Sequence, residues 1–150
     1  YMVATHLEPR YARSVYPCWD EPAFKAEFDI SIKHNPKYTA LSNMPQKDRT
    51  SDEGGKVWTS FETSPPMSTY MTNFVVSRYG KLVNSHQNMT IWSQEESLEE
   101  TRFLLHLSPQ IVAAYENYTG IAYSLPKLDS IVIPYFTSSA NEHWGLITYG

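Results

Sequence analysis

The feature that most constrains this chain is a change of hydrophobic period near Gln94. Before it, apolar residues recur at every second position, the repeat of a strand with one buried face. In Ala26–His34, Phe28, Ile30 and Ile32 alternate with Asp29, Ser31 and Lys33. In Lys56–Thr63, Val57, Thr59 and Phe61 alternate with Trp58, Ser60 and Glu62. Further strands are predicted at Met2–Leu7, Tyr38–Ser42, Tyr70–Arg78, Leu82–Val83 and Thr90–Ser93. Glu8–Pro22 carries three prolines and reads as irregular. Gln46–Gly55 is polar and turn-rich and reads as an exposed loop.

After Gln94 the repeat becomes helical. Ser97-Leu98-Glu99-Glu100 opens a helix with its acids in the first turn, where the macrodipole favours them. Leu98, Phe103-Leu104-Leu105 and Leu107 supply an apolar stripe. Ser108-Pro109 fits a kink or a fresh helix start, Ile111–Tyr118 continues the helix, and Gly120 fits a stop. Two extended segments follow, Ser130–Phe136 and Leu146–Tyr149. The change of period predicts a mainly β chain in two domains. Residues 1–93 form a β-module with a sandwich-like or saddle-like sheet. Residues 94–150 begin an α+β unit whose sheet is unfinished, which should leave Ile131, Ile133 and Leu146 without cover.

Composition supports a packed core, at 41% hydrophobic and 14% aromatic residues. The many Tyr and Trp side chains fit half-buried strand positions. With a net charge of −4 and no basic cluster, a nucleic-acid partner is not expected. The longest apolar runs, such as Ile111–Ala114, fall far short of the ~20 residues of a membrane span. The chain starts at Tyr1 and is strand-like at once, so it reads as a piece of a longer protein. A single cysteine, Cys18, cannot form an internal disulfide and reads as a small apolar residue. Asn88-Met89-Thr90 and Asn117-Tyr118-Thr119 are N-glycosylation sequons that point to an extracellular parent. The histidines are His6, His34, His86, His106 and His143. No two are four apart and no HExxH occurs, so the chain itself offers no zinc site.

Three stretches then carry a resemblance. The first is Tyr16-Pro17-Cys18-Trp19-Asp20-Glu21-Pro22-Ala23-Phe24-Lys25-Ala26. The second is Tyr38-Thr39-Ala40-Leu41-Ser42-Asn43-Met44-Pro45 with Pro65-Pro66-Met67-Ser68-Thr69-Tyr70. The third is Trp144-Gly145-Leu146-Ile147-Thr148-Tyr149. In this order and spacing they resemble the zinc aminopeptidases of the aminopeptidase N family, over essentially the whole chain, with the tone of an animal ectoenzyme. The resemblance implies an N-terminal β-saddle domain in 1–93 and the start of a thermolysin-like peptidase domain in 94–150. It implies removal of single residues from peptides with a free N-terminus. It also implies one zinc, bound by an HExxH helix and a later Glu beyond Gly150. The implied location is the extracellular face of the plasma membrane, with the membrane anchor outside this chain.

The resemblance also implies site residues. The family's Gly-Ala-Met-Glu-Asn motif falls on Ser139-Ala140-Asn141-Glu142-His143, so Glu142 takes the place of the acid that grips the substrate's α-ammonium, with Ser139, Ala140 and Asn141 facing the substrate. The family's Gln-x-Glu-Pro segment reads His6-Leu7-Glu8-Pro9. Glu8 then joins the amine clamp, and His6 replaces the Gln that lines the first side-chain pocket. The chemistry is sound on its own terms: an exopeptidase must tell a charged chain end from an internal amide, and a fixed carboxylate does so. Asp20-Glu21 reads instead as turn chemistry held between Pro17 and Pro22. Ser139 for Gly, Asn141 for Met, His143 for Asn and Gly150 for the usual Arg are departures, and any positive φ at Ser139 would be strained. They leave two readings open: a fragment of an active aminopeptidase, or of a non-catalytic cell-surface homologue that binds peptides or another ligand.

Overall fold

The computed structural model describes every residue except Gln87 and Thr137. The chain is mainly β and forms two compact units, one of Tyr1–Arg78 with Glu142–Leu146 and one of Tyr79–Asn141 with Ile147–Gly150.

The first unit holds strands β1 (Val3–Ala4), β2 (Ser31–His34), β3 (Thr39–Ser42), β4 (Gln46–Ser51), β5 (Val57–Phe61) and β6 (Phe74–Ser77). They make two antiparallel sheets, ordered β1-β6-β3 and β2-β5-β4. The alternation read in β5 is real: Val57, Thr59 and Phe61 are buried and Trp58 is exposed. The central strand β6 places Val75 opposite Leu41 and buries it completely.

Three differences from the sequence reading have physical reasons. Gln46–Ser51 is a strand rather than a loop, and only Asp52–Gly55 turns, closed by Asp52 N donating to Lys56 O at 2.8 Å. β4 is an edge strand exposed at every position, and its charged residues keep that edge solvated while hiding any period-2 signal. The strand expected over Ala26–His34 is regular only from Ser31. Upstream the chain bonds at alternate residues, with Phe61 N donating to Ile30 O (3.0 Å), Ser64 N to Phe28 O (3.1 Å) and Met67 N to Ala26 O (3.0 Å). The facing segment contains Pro65-Pro66, which lack N–H donors, so a continuous ladder cannot form there. Tyr70–Arg78 is strand only over Phe74–Ser77, because Thr69–Met71 forms a 3-10 turn.

The second unit contains β7 (Gly80–Val83), β8 (Met89–Ser93), helix α1 (Arg102–Thr119), β9 (Leu128–Val132), β10 (Ala140–Asn141) and β11 (Leu146–Tyr149), the last beginning in the first unit. The sheet order is β10-β11-β9-β8-β7. β8 and β9 are parallel, a pairing that needs a long crossover, and α1 supplies it. Pro109 neither breaks nor restarts α1; it denies Leu105 a donor, while Ser108 Oγ donates to Leu104 O at 2.7 Å alongside. Gly120 ends the helix at φ 69°, its N–H donating to Glu116 O. β9 stops short of the expected Phe136, because Pro134 has no N–H and Tyr135 turns the chain at φ 60°.

The expectation that Ile131, Ile133 and Leu146 lack cover is overturned: Ile131 and Leu146 are 0% exposed and Ile133 is buried. Helix α1 exposes Phe103, Leu104, Ile111, Tyr115 and Tyr118, and no residue of that helix is buried.

Candidate functional site

Glu142 lies in the first unit, in the short loop that leads into β11. Its side chain is exposed, His143 after it is buried, and Trp144 is exposed again. The loop then reverses: Leu146 N donates to His143 O at 3.1 Å. Gly145 occupies the third position of this turn at φ 71°, where a side chain would clash with its own backbone.

Two buried carboxamides hold the loop. Asn43, at the end of β3, accepts from Asn73 N at 2.9 Å and donates to Met71 O (2.8 Å) and Trp144 O (2.7 Å). Asn73, entering β6, donates through Nδ2 to Leu146 O (3.3 Å) and pairs with His143 Nδ1 (3.2 Å). Its Oδ1 accepts from Thr5 Oγ1 at 2.9 Å. Thr5 is also tied to the backbone of Phe74, giving from its N–H to Phe74 O (3.1 Å) and accepting on Oγ1 from Phe74 N (3.0 Å). Asn73 is 0% exposed and therefore needs these partners.

A carbonyl only accepts, so Leu146 O identifies the atom facing it as the amide nitrogen. That nitrogen also faces His143 Nδ1, which must then accept, leaving the ring proton on Nε2 and the imidazole neutral. The electrostatics agree. Burial, and then the nearby His6, push the His143 pKa down to about 4, with Glu142 pulling the other way. His6 and Glu142 are thus the titratable groups that bear on this ring.

The residues singled out in the sequence are placed as follows. His6 and Glu8 are half-buried and lie in the same unit as Glu142. Glu8 precedes Pro9 across a cis peptide bond. Ser139 and Ala140 are exposed and Asn141 is buried, all in the second unit. Among the described residues the non-glycine positive φ values fall at Asp20 and Tyr135, so Ser139 carries no such strain. Asn88 and Asn117 are exposed.

Asp20 is structural, as its turn chemistry implied. It is 1% exposed with φ 50° and accepts from Arg13 Nε (2.9 Å), Arg13 N (3.2 Å) and Thr69 Oγ1 (3.1 Å). Burial works to raise its pKa, and these bonds outweigh it to hold the carboxyl below the usual range. Tyr16 OH donates to Thr69 O at 3.0 Å and Ser68 Oγ to Pro22 O at 2.8 Å. The first and second signature stretches are therefore each other's partners. Asn73 was not visible as a site residue in the sequence, and Asn43 stood in a signature stretch with no stated role. Both are polar residues whose burial only the fold reveals.

The chain matches the peptidase M1 N-terminal domain over residues 1–71 and the peptidase family M1 domain over residues 103–150. It belongs to peptidase family M1, as the signature stretches implied. It is 40% identical to endoplasmic reticulum aminopeptidase 2 of Bos taurus and 42% identical to glutamyl aminopeptidase of Homo sapiens, each over 151 residues. It is 39% identical to aminopeptidase Q of Felis catus over 156 residues. Each alignment covers 99% of this chain and 16% of the relative, so the chain spans about a sixth of the relatives' length.

Proposed function

We propose that this chain is the amine-recognition portion of a zinc-dependent aminopeptidase that removes the N-terminal residue of peptides. The observation that carries this reading is the exposed carboxylate of Glu142, on a loop fixed by two buried amides, within a chain matched end to end by proteins named aminopeptidases. A carboxylate ~4 Å from an ammonium gains about 4 kcal/mol at an effective dielectric near 20, before desolvation. An internal peptide bond offers no such charge. Glu142 and Glu8 bind the free amine, His6 lines the first side-chain pocket, and Ser139, Ala140 and Asn141 face the substrate.

Among the described residues, no three His, Cys, Asp or Glu side chains come together to hold a metal ion. The zinc of the parent is proposed to take its ligands from residues outside this chain, and the present residues bind and orient. The domain boundary is proposed at residues 93 and 94, where β8 ends and the helical turns begin, although β8 pairs with β9 and the compact units divide earlier, after Arg78. Exposed Asn88 and Asn117 in their sequons support N-glycosylation on the secretory route, and the parent is proposed to be membrane-anchored at the extracellular face of the plasma membrane. Among the described residues no helix is long and apolar enough to cross a membrane. In the full-length protein, Glu142→Ala should raise KM for an aminoacyl anilide more than it lowers kcat, since the ammonium contact exists in ground and transition states alike. An unchanged kcat/KM would overturn the reading.

A further inference from the structure

We propose that Asn73 and His143 are a positioning pair for amine recognition, in which one buried carboxamide fixes the segment carrying His6 and Glu8 relative to the loop carrying Glu142. The inference rests on the amine-recognition reading above and adds the residues that set its geometry. Neither residue is proposed to touch substrate.

The geometry is specific to these side chains. Asn73 Oδ1 accepts from Thr5, the residue before His6, across 68 positions of sequence. Its Nδ2 meets His143, the residue after Glu142, across 70 positions. A second bond from Nδ2, to Leu146 O, closes the other end of the Glu142 turn. The main chain of Asn73 is itself pinned, with N–H to Asn43 Oδ1 (2.9 Å) and C=O accepting from Ser42 Oγ (2.9 Å). The carboxamide therefore has little freedom to follow either segment if one shifts, so each segment is held relative to the same rigid group. A two-carboxylate clamp on one small ammonium needs that, because displacement of about 1 Å costs much of the gain from orientation. His143 suits the role only as an acceptor on Nδ1. Its neighbour Glu142 points outward while His143 points inward, so anchoring the ring sets where the carboxylate stands.

The test uses the full-length protein with an aminoacyl anilide as substrate and five variants: Glu142→Gln, His143→Leu, His143→Asn, His143→Gln and the double Glu142→Gln/His143→Leu. Asparagine keeps an acceptor at the Nδ1 position, glutamine moves it to the Nε2 position, and leucine removes it. Acting through Glu142, His143→Leu should raise KM about fivefold or more with kcat within about twofold, and His143→Asn should restore KM to within about twofold. Added to Glu142→Gln, His143→Leu should give no further rise. If His143→Leu does not yield folded protein, His143→Gln replaces it in the comparison with the same expectation. An effect of Glu142→Gln on KM with none from His143→Leu or His143→Gln overturns the positioning role alone. So does a KM effect of His143→Leu that is undiminished in the Glu142→Gln background, because that is the mark of a general structural defect. No effect of Glu142→Gln overturns the amine reading and this inference together.

Discussion

Asn73 Nδ2 and His143 Nδ1 lie 3.2 Å apart although 70 residues separate them in sequence. Both groups are buried, and the pair is compatible with one protonation state of the ring. A protonated imidazole would turn an N–H toward the amide N–H₂ and leave two donors facing each other where water has little access. The bond therefore links folding of the first unit to the charge of a single histidine.

That linkage has a sign. His143 has its folded pKa depressed to about 4 against an ordinary 6.5, so between these values the unfolded chain binds a proton that the folded chain does not. The contribution to stability is fully present above pH 6.5, declines as pH falls, and is gone by about pH 4. The whole contribution is of order 3 kcal/mol. Urea midpoints of the full-length protein at pH 7, 5.5 and 4.5 should fall along this curve, and His143→Asn should flatten it. An equally steep fall in His143→Asn would show that other groups carry the pH dependence.

Asp20 makes a second stability prediction. Asp20→Asn keeps one acceptor oxygen for the two Arg13 bonds but removes the charge behind them and turns an NH2 toward Thr69 Oγ1, which must then accept instead of donate. The expected cost is about 1–3 kcal/mol. Asp20→Ala should cost more, because alanine adds about 1–2 kcal/mol of backbone strain at φ 50° that asparagine largely avoids. Thermal melts of the two variants check the order, and an alanine variant as stable as the asparagine one would contradict it.

What was legible in the sequence follows from periodicity and from turn chemistry. Val57, Thr59 and Phe61 announced β5 because one face is buried, and Gly120 announced the end of α1 because few other residues accept φ 69°. β4 was invisible for the opposite reason: Gln46–Ser51 contains no apolar residue, and its pairing is written in backbone bonds. The candidate acids Glu8 and Glu142 came from the family motifs that the resemblance lays on residues 6–9 and 139–143. Their support was not legible. Asn73 sits in the run Met71-Thr72-Asn73-Phe74, where a buried amide and a solvent-facing one look alike. His143 read only as a departure from the family's Asn beside Glu142, and the fold turns it inward against Asn73.

The burial of Ile131 separates it from the helix residues nearby in sequence. It sits in β9, pairs with Trp92 and is 0% exposed. Ile131→Ala should cost about 2–5 kcal/mol through lost burial and a residual cavity. Tyr118→Ser, at a position 88% exposed on α1, should stay within about 0.5 kcal/mol where no other contact covers it. Urea titration of the full-length variants distinguishes them. A small cost at Ile131 would mean that the sheet relaxes around the lost methyls, and a large one at Tyr118 would reveal cover on that helix face.

On the proposed amine-recognition role of Glu142, Gly145 joins stability to recognition in one residue. It holds φ 71° at the third position of the turn from His143 to Leu146. Adding one methyl there disfavours the conformation by about 1–2 kcal/mol. The chain can relieve that strain only by opening the Leu146 N–H bond to His143 O or by pulling against the two amides. Either movement displaces Glu142. Gly145→Ala in the full-length protein is therefore expected to lower the melting temperature by several degrees and to raise KM for an aminoacyl anilide. The KM effect should be smaller for a substrate analogue whose α-amine is replaced by hydrogen, since that analogue never uses Glu142. Equal losses on both substrates would place the damage elsewhere in the fold rather than in the presentation of the carboxylate.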